Sequence, residues 1–337
     1  MDAGFYYGTT SGSLGNKVSS GYTTSPFSKA INGLEQGTTY YYKAYVVEGD
    51  QEVLADNEES FTTLTGWLEL PKVTGSEDFV GKLYGSGSTA GTNRNYSYSY
   101  NYTYYASMWV AYPLCGTHKG GSGGEGNWTY NPSIPNNKQV SIVSKSYPTM
   151  YGASAYARGH QCPNASRKSN EQMNDQTYYA TNQTPQLQNK FNASIWGSLE
   201  GAVRGLVSSA TDTVYVVTGP AYRKVGGSET INYLYGASGQ NANPSELPIP
   251  NYYWKALLKV KRGSHGEVTS AKAIGFWFDH RNYESTEHYY DSQNVVSVDQ
   301  IEAWTGMNLF HNLPGDDSSG IEKTAESNTS WTEFQNF

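Results

Sequence analysis

Along the chain, apolar and polar positions alternate in short bursts separated by turns rich in Gly, Ser and Asn, a strand pattern rather than a long-helix one. Phe5, Tyr6, Tyr7 and Gly8 form a first strand, followed by a polar, glycine-rich connection over residues 9–21. A short apolar stretch at 30–34 and a turn at Glu35, Gln36 and Gly37 lead into a strand over 38–47, where Tyr40, Tyr42, Ala44 and Tyr45 mix with polar residues near period two. A last strand covers 59–64. Gly66 and Pro71 then break the pattern and open a second domain. Strands are predicted there over 96–105, 107–114, 213–218, 252–261 and 272–278, with a glycine-rich loop over 116–126. Two stretches read as helical. One runs over 189–206. The other runs over 298–305, opened by Ser297 with Asp299 and Glu302 near its start and stopped by Gly306. The pattern predicts an α+β fold dominated by strands, with residues 1–65 and 66–337 as separate domains.

Composition sharpens this. Charged residues are only 16% of the 337, whereas Tyr occupies 30 positions and Gly 36, which suits extracellular β-structure and not a helical cytosolic enzyme. A hydrophobic content of 37% supports a sizeable core. The longest apolar stretches, such as 214–217, are strand length, so no membrane span is expected. Met1 is followed by Asp2 with no basic or apolar leader region. The expectation is an exported protein (secreted, periplasmic or at the cell surface) shown here without its leader, with cytosolic residence left open.

The formal net charge is -7, which argues against a nucleic-acid partner until its distribution is considered. Residues 1–65 hold three lysines and eight acidic residues, net -5. Residues 138–204 hold seven basic residues and three acidic ones, net +4, a local patch able to attract phosphates. The two cysteines, Cys115 and Cys162, have no metal-ligand spacing; one disulfide and two free thiols both remain open.

Residues 157–206 carry the candidate chemistry. His160 is the only histidine in this segment, and Gly159 before it is expected to let the backbone turn tightly. An unperturbed imidazole pKa of about 6.5 suits a general base near neutral pH. Asn192, Glu200 and Arg204 stand at i, i+8 and i+12. At about 100° per residue they fall within roughly 120° on one helix, presenting an amide oxygen, a carboxylate and a guanidinium together. An ordinary ion pair between Glu200 and Arg204, and an N-cap role for Asn192, remain open readings.

The same segment resembles the core of the DNA/RNA non-specific endonuclease family, whose ββα-metal fold also serves mitochondrial endonuclease G. The resemblance rests on Arg158-Gly159-His160 with Pro163, Thr181-Asn182 with Pro185-Gln186, Phe191-Asn192 with Trp196, and Leu199-Glu200 with Arg204. It continues through VYVVTGP at 214–220, IPNYYWKALL at 249–258 and VSVDQIEAWTGMNLFHNLP at 296–314, covering about residues 67–315. It implies a Mg²⁺-dependent hydrolase of DNA and RNA, with Mn²⁺ as a possible substitute. It also implies a central antiparallel sheet, His160 as general base and Asn192 as the sole direct metal ligand. Glu200 would act on the metal through water, Arg204 would contact the scissile phosphate, and Arg158 would support the phosphate or the His160 loop. Asn182 would lie close to the site, and Trp196 in the core. Two positions depart from the family: its aspartate before Arg-Gly-His is Ala157, and the arginine of its upstream Arg-Asn-Trp is Gly126. A degenerate nuclease-fold domain that only binds nucleic acid or a surface partner is therefore the alternative. Upstream, INGLEQGTTYYYKAYV resembles the late strands of a fibronectin type III module, which implies a spacer or attachment role for residues 1–65.

Overall fold

The computed structural model describes residues 2–29, 31, 34, 38–63, 66–86, 94–121, 124–263, 267–314 and 320–337. The turn expected at Glu35, Gln36 and Gly37 lies outside them.

The N-terminal residues form an antiparallel sheet from β1 (Asp2–Gly8), β2 (Asn16–Tyr22), β3 (Thr39–Glu48), β4 (Gln51–Leu54) and β5 (Glu59–Thr62), ordered β2-β1-β3-β4 with β5 also on β3. Alternation along β3 sends Tyr40 and Tyr42 to one face, where both ring centroids lie 5.9 Å from Phe61. Tyr45 faces the other side, 5.4 Å from Tyr6. The connection read over 9–21 instead contains most of β2. This edge strand pairs with β1 through its backbone, Phe5 opposite Val18, and leaves most side chains in water, so no hydrophobic period marks it.

The larger domain is built on a seven-stranded sheet. Its strands are β6 (Phe79–Tyr84), β7 (Arg94–Asn101), β8 (Ala106–Cys115), β11 (Thr213–Ala221), β14 (Tyr252–Arg262), β15 (Val268–Asp279) and β16 (Val295–Val296). The order is β16-β15-β14-β11-β8-β7-β6 and every pair is antiparallel. The central strands are buried on both faces, which is why they read as continuous apolar runs. Val214, Val216, Leu257 and Phe276 face one layer of the core; Tyr215, Val217, Ala256 and Trp277 face the other. Helix α4 (Val298–Thr305) closes the second layer with Val298 and Ile301. Its ends follow the expected signals: the Ser297 side chain accepts from Gln300 N–H at 3.1 Å, and Gly306 turns left-handed at φ 73°.

The first layer receives the segment that carries the candidate chemistry. Strand β9 (Tyr156–His160) pairs with β10 (Gln183–Leu187) as a separate antiparallel ribbon, His160 opposite Gln183 and Ala157 opposite Gln186. The chain then passes without a loop into Gln188–Trp196 and helix α3 (Gly197–Gly205). Phe191, Trp196, Leu199 and Val203 anchor this run in the core. Trp196 is 1% exposed, with ring centroids 5.8 Å from Phe191 and 5.7 Å from Tyr253. Burial of that kind costs about 3–5 kcal/mol when truncated, so the helix is firmly seated on the sheet.

Gln188–Trp196 is not α-helical. It winds as a π-helix, with the N–H of Gly197 bonding the Asn192 carbonyl five residues back and a non-helical residue at Ser194 (φ -122°, ψ -108°). Such wide turns interrupt the 100° periodicity on which a shared face depends. The smaller elements are α1 (Tyr147–Tyr151), α2 (Glu171–Gln176), a two-stranded pair β12 (Tyr233–Tyr235) and β13 (Glu246–Pro248), and the C-terminal helices α5 (Gly320–Glu326) and α6 (Trp331–Gln335). Cys115 and Cys162 are both free thiols, Cys162 fully buried. Among the described residues no helix is long and apolar enough to cross a membrane.

Candidate active site

The end of β9 and the start of the π-helical segment meet at a cleft of about 600 Å³. Arg158, His160 and Asn192 line it, with Gln188, Lys145, Trp128 and Tyr178 around them.

His160 sits in an aromatic corner. Its ring centroid is 4.8 Å from Trp128 and 5.0 Å from Tyr178, the latter edge-on at 88°. Nε2 is buried and makes no hydrogen bond. Burial, and secondarily the charge of Arg158, hold the imidazole well below its ordinary range, at about 4. The ring is therefore neutral at physiological pH and able to accept a proton. Trp128 also takes the Arg158 guanidinium on its face at 4.8 Å, so one indole steadies both groups. Arg158 Nη1 donates to the Ile142 carbonyl at 3.0 Å, and no carboxylate pairs with it among the described residues.

Gly159 is needed for a reason other than the expected turn. It lies within β9, opposite Thr184, and the Gln186 side chain crosses directly over it, so any Cβ there would overlap the amide.

Asn192 is in the middle of the π-helical segment, not at an N-cap. Its Nδ2 donates to Gln188 Oε1 at 3.1 Å, which fixes the amide and leaves Oδ1 without a hydrogen bond among the described residues. A free, oriented amide oxygen in a roomy polar cleft fits a hard cation that keeps most of its own waters.

Asn182 does not line the cleft. It is fully buried, donates to the carbonyls of Cys162 at 2.9 Å and Thr177 at 2.8 Å, and accepts from the Cys162 N–H at 2.9 Å. It clamps the backbone that leaves His160.

Glu200 and Arg204 are not among the residues lining this cleft, and a π-helical turn lies between them and Asn192 in the chain. The two are i,i+4 neighbours on α3, with Nη1 and Oε2 4.0 Å apart. Their surroundings include Lys255 of β14, which is 1% exposed, donates to Thr218 Oγ1 at 3.2 Å and lies 4.6 Å over the Trp196 ring. Burial lowers Lys255 to about 8, against the pull of Glu200; burial raises Glu200, against Lys255 and Arg204.

The sequence pattern did not single out Tyr178, Gln188 or Lys145, and Trp128 entered only as part of a motif. Their sole common signal is spatial. Gly126 illustrates this: a Cβ there would lie 2.6 Å from the Tyr178 ring. Gly126→Arg is therefore expected to lower activity rather than restore a family feature. Tyr178 would be driven into His160, and misplacing a reacting group by about 1 Å costs on the order of 10²-fold. Initial rates on DNA check this; a rate equal to or above that of the unchanged protein contradicts it.

The seven-stranded sheet with a ββα unit on one face, an imidazole on the second β-strand's neighbour and an amide oxygen on the helix define a ββα nuclease-type domain. A family model described as DNA/RNA non-specific endonuclease matches residues 79–316, and the chain belongs to that family. It is similar to "Nuclease 1, mitochondrial" of Schizosaccharomyces pombe, 26% identical over 193 residues and covering 56% of each chain. It is also similar to "Nuclease" of Serratia marcescens, 29% identical over 219 residues, covering 64% of this chain and 72% of that one. The chain spans about half the length of the yeast relatives, 56% and 49%. Among solved structures, an EndoG/EndoGI complex matches its fold with a TM-score of 0.51 at 21% identity, over 67% of this chain and 86% of that one.

Proposed function

We propose that the protein is a Mg²⁺-dependent endonuclease that hydrolyses phosphodiester bonds of DNA and RNA without reading their sequence. The observation that carries this is the meeting of His160, Arg158 and the Asn192 amide oxygen in one cleft. Asn192 would hold the metal, with Mn²⁺ as a substitute. When bound, the cation supplies positive charge against the phosphate. His160, neutral and held by Trp128 and Tyr178, takes the proton of the attacking water. Arg158 opposes the charge that grows on the phosphate oxygens. Asn182 fixes the backbone behind His160; Glu200 would act on the metal through water, and Arg204 would contact the scissile phosphate. Gripping phosphate rather than base edges accounts for non-specificity.

Residues 1–65 are proposed as a fibronectin type III-like spacer or attachment module and 66–337 as the catalytic domain. The protein is proposed to act outside the cytoplasm: in the periplasm, at the cell surface or in the medium. The Tyr-rich, charge-poor composition supports both readings.

Incubation with supercoiled plasmid should give nicked, linear and then degraded DNA with Mg²⁺, and none with EDTA. An intact plasmid with Mg²⁺, Mn²⁺ and Ca²⁺, retarded on a gel, would instead establish a binding-only domain.

A further inference from the structure

The charges of the cleft are unequal to its size. Among the residues that line it, the cations are Arg158 and Lys145, and the single anion is Glu125. Gly126 has no charge to offer, Arg204 lies outside the lining with Glu200, and Lys190 is paired with Glu284 at 3.0 Å. Arg158, stacked on Trp128 beside His160, serves the phosphate undergoing reaction. Lys145 also lines the cleft, between Ser144 and Ser146 in the chain. That segment is not a loose loop tip. Ile142 is fully buried and its carbonyl takes Arg158 Nη1 at 3.0 Å, while Tyr147, at the other end, is fully buried. Lys145 itself is exposed, and its Nζ donates to a neutral acceptor, Gln240 Oε1, at 2.8 Å. It has no carboxylate partner among the described residues, so its charge is not neutralised by an ion pair.

We infer that Lys145 is a second phosphate-binding subsite that grips a backbone phosphate neighbouring the one at His160. This rests on the proposed nuclease reading and specifies its substrate as a chain with several phosphates. Gln240 positions the ammonium until the phosphate arrives. The subsite selects for polymeric nucleic acid over a single phosphodiester, and it contributes affinity rather than proton transfer.

The test is binding of a fluorescein-labelled single-stranded oligonucleotide to the full chain, followed by anisotropy over a series of KCl concentrations without added divalent metal. Each phosphate contact contributes about 0.7 to the slope of log affinity against log salt for single strands. Lys145→Gln should weaken binding at low salt by about tenfold and make the slope shallower by about 0.7, the loss of one contact. Lys145→Arg should keep the slope. Unchanged affinity and slope in Lys145→Gln would overturn the subsite, as would an equal loss in Lys145→Arg or no binding by the unchanged protein. Because the readout needs no cleavage, an uncut plasmid defeats the nuclease reading alone, and an unchanged salt slope defeats this subsite alone.

Discussion

Replacing His160 with alanine is expected to lower kcat on DNA by about 10²- to 10⁴-fold while leaving the Mg²⁺ requirement nearly unchanged. The imidazole lines the cleft in its neutral, proton-accepting form. Burial first, and Arg158 second, place its pKa at about 4. The sign of the shift matters: a lowered pKa extends the neutral, proton-accepting form to lower pH. The kcat/KM profile, which reports the free enzyme, should therefore stay level through the ordinary histidine range around 6.5 and fall only as pH drops toward about 4. An acid limb centred in the ordinary range, or full activity of His160→Ala, would rule out the base proposed here.

Asn192→Ala is expected to act through the metal instead. The substitution removes the oriented amide oxygen, and Gln188 loses its partner. Losing an outer-sphere partner of a metal ligand typically costs 10- to 100-fold in metal affinity, so loss of the ligand itself should cost at least on the order of that. Activity at low Mg²⁺ should collapse and return in part as Mg²⁺ is raised. Isothermal titration with Mg²⁺ provides the check, and an unchanged affinity would move the metal elsewhere. The contrast separates the two residues: raising the metal concentration helps Asn192→Ala and does nothing for His160→Ala.

How far the sequence reveals this arrangement depends on which physical signal each part leaves. Helix α4 is readable end to end, because Ser297 and Gly306 act through local backbone geometry. Strands β11, β14 and β15 are readable because burial on both faces demands apolar runs. Strand β2 is not, because an edge strand held by backbone pairing leaves no pattern in its side chains. The helical run at 189–206 is correct in extent, against Gln188–Trp196 plus Gly197–Gly205, but not in winding. No residue type marks the π-helical turn, and a fixed angle per residue cannot be carried across it from Asn192 to Glu200 and Arg204. Gly159 was recognised, yet its reason, the Gln186 side chain lying across it, is a contact between strands and invisible along one. Residue chemistry and motif order point to His160, Arg158 and Asn192, which line one cleft. They do not point to Trp128 and Tyr178, which hold the imidazole, since both reach it from distant parts of the chain.

That distance bears on synthesis. The cleft draws on residues 125–128, 143–146, 157–160, 178 and 188–192, and the ribbon they surround rests on a sheet whose central strands β11, β14 and β15 follow all of them in the chain. A polypeptide emerging from the ribosome therefore carries every cleft residue when it has only β6, β7 and β8 of the sheet. Contacts of such long sequence separation close late in folding. On the proposed function, cutting is expected only once β11, β14 and β15 have docked.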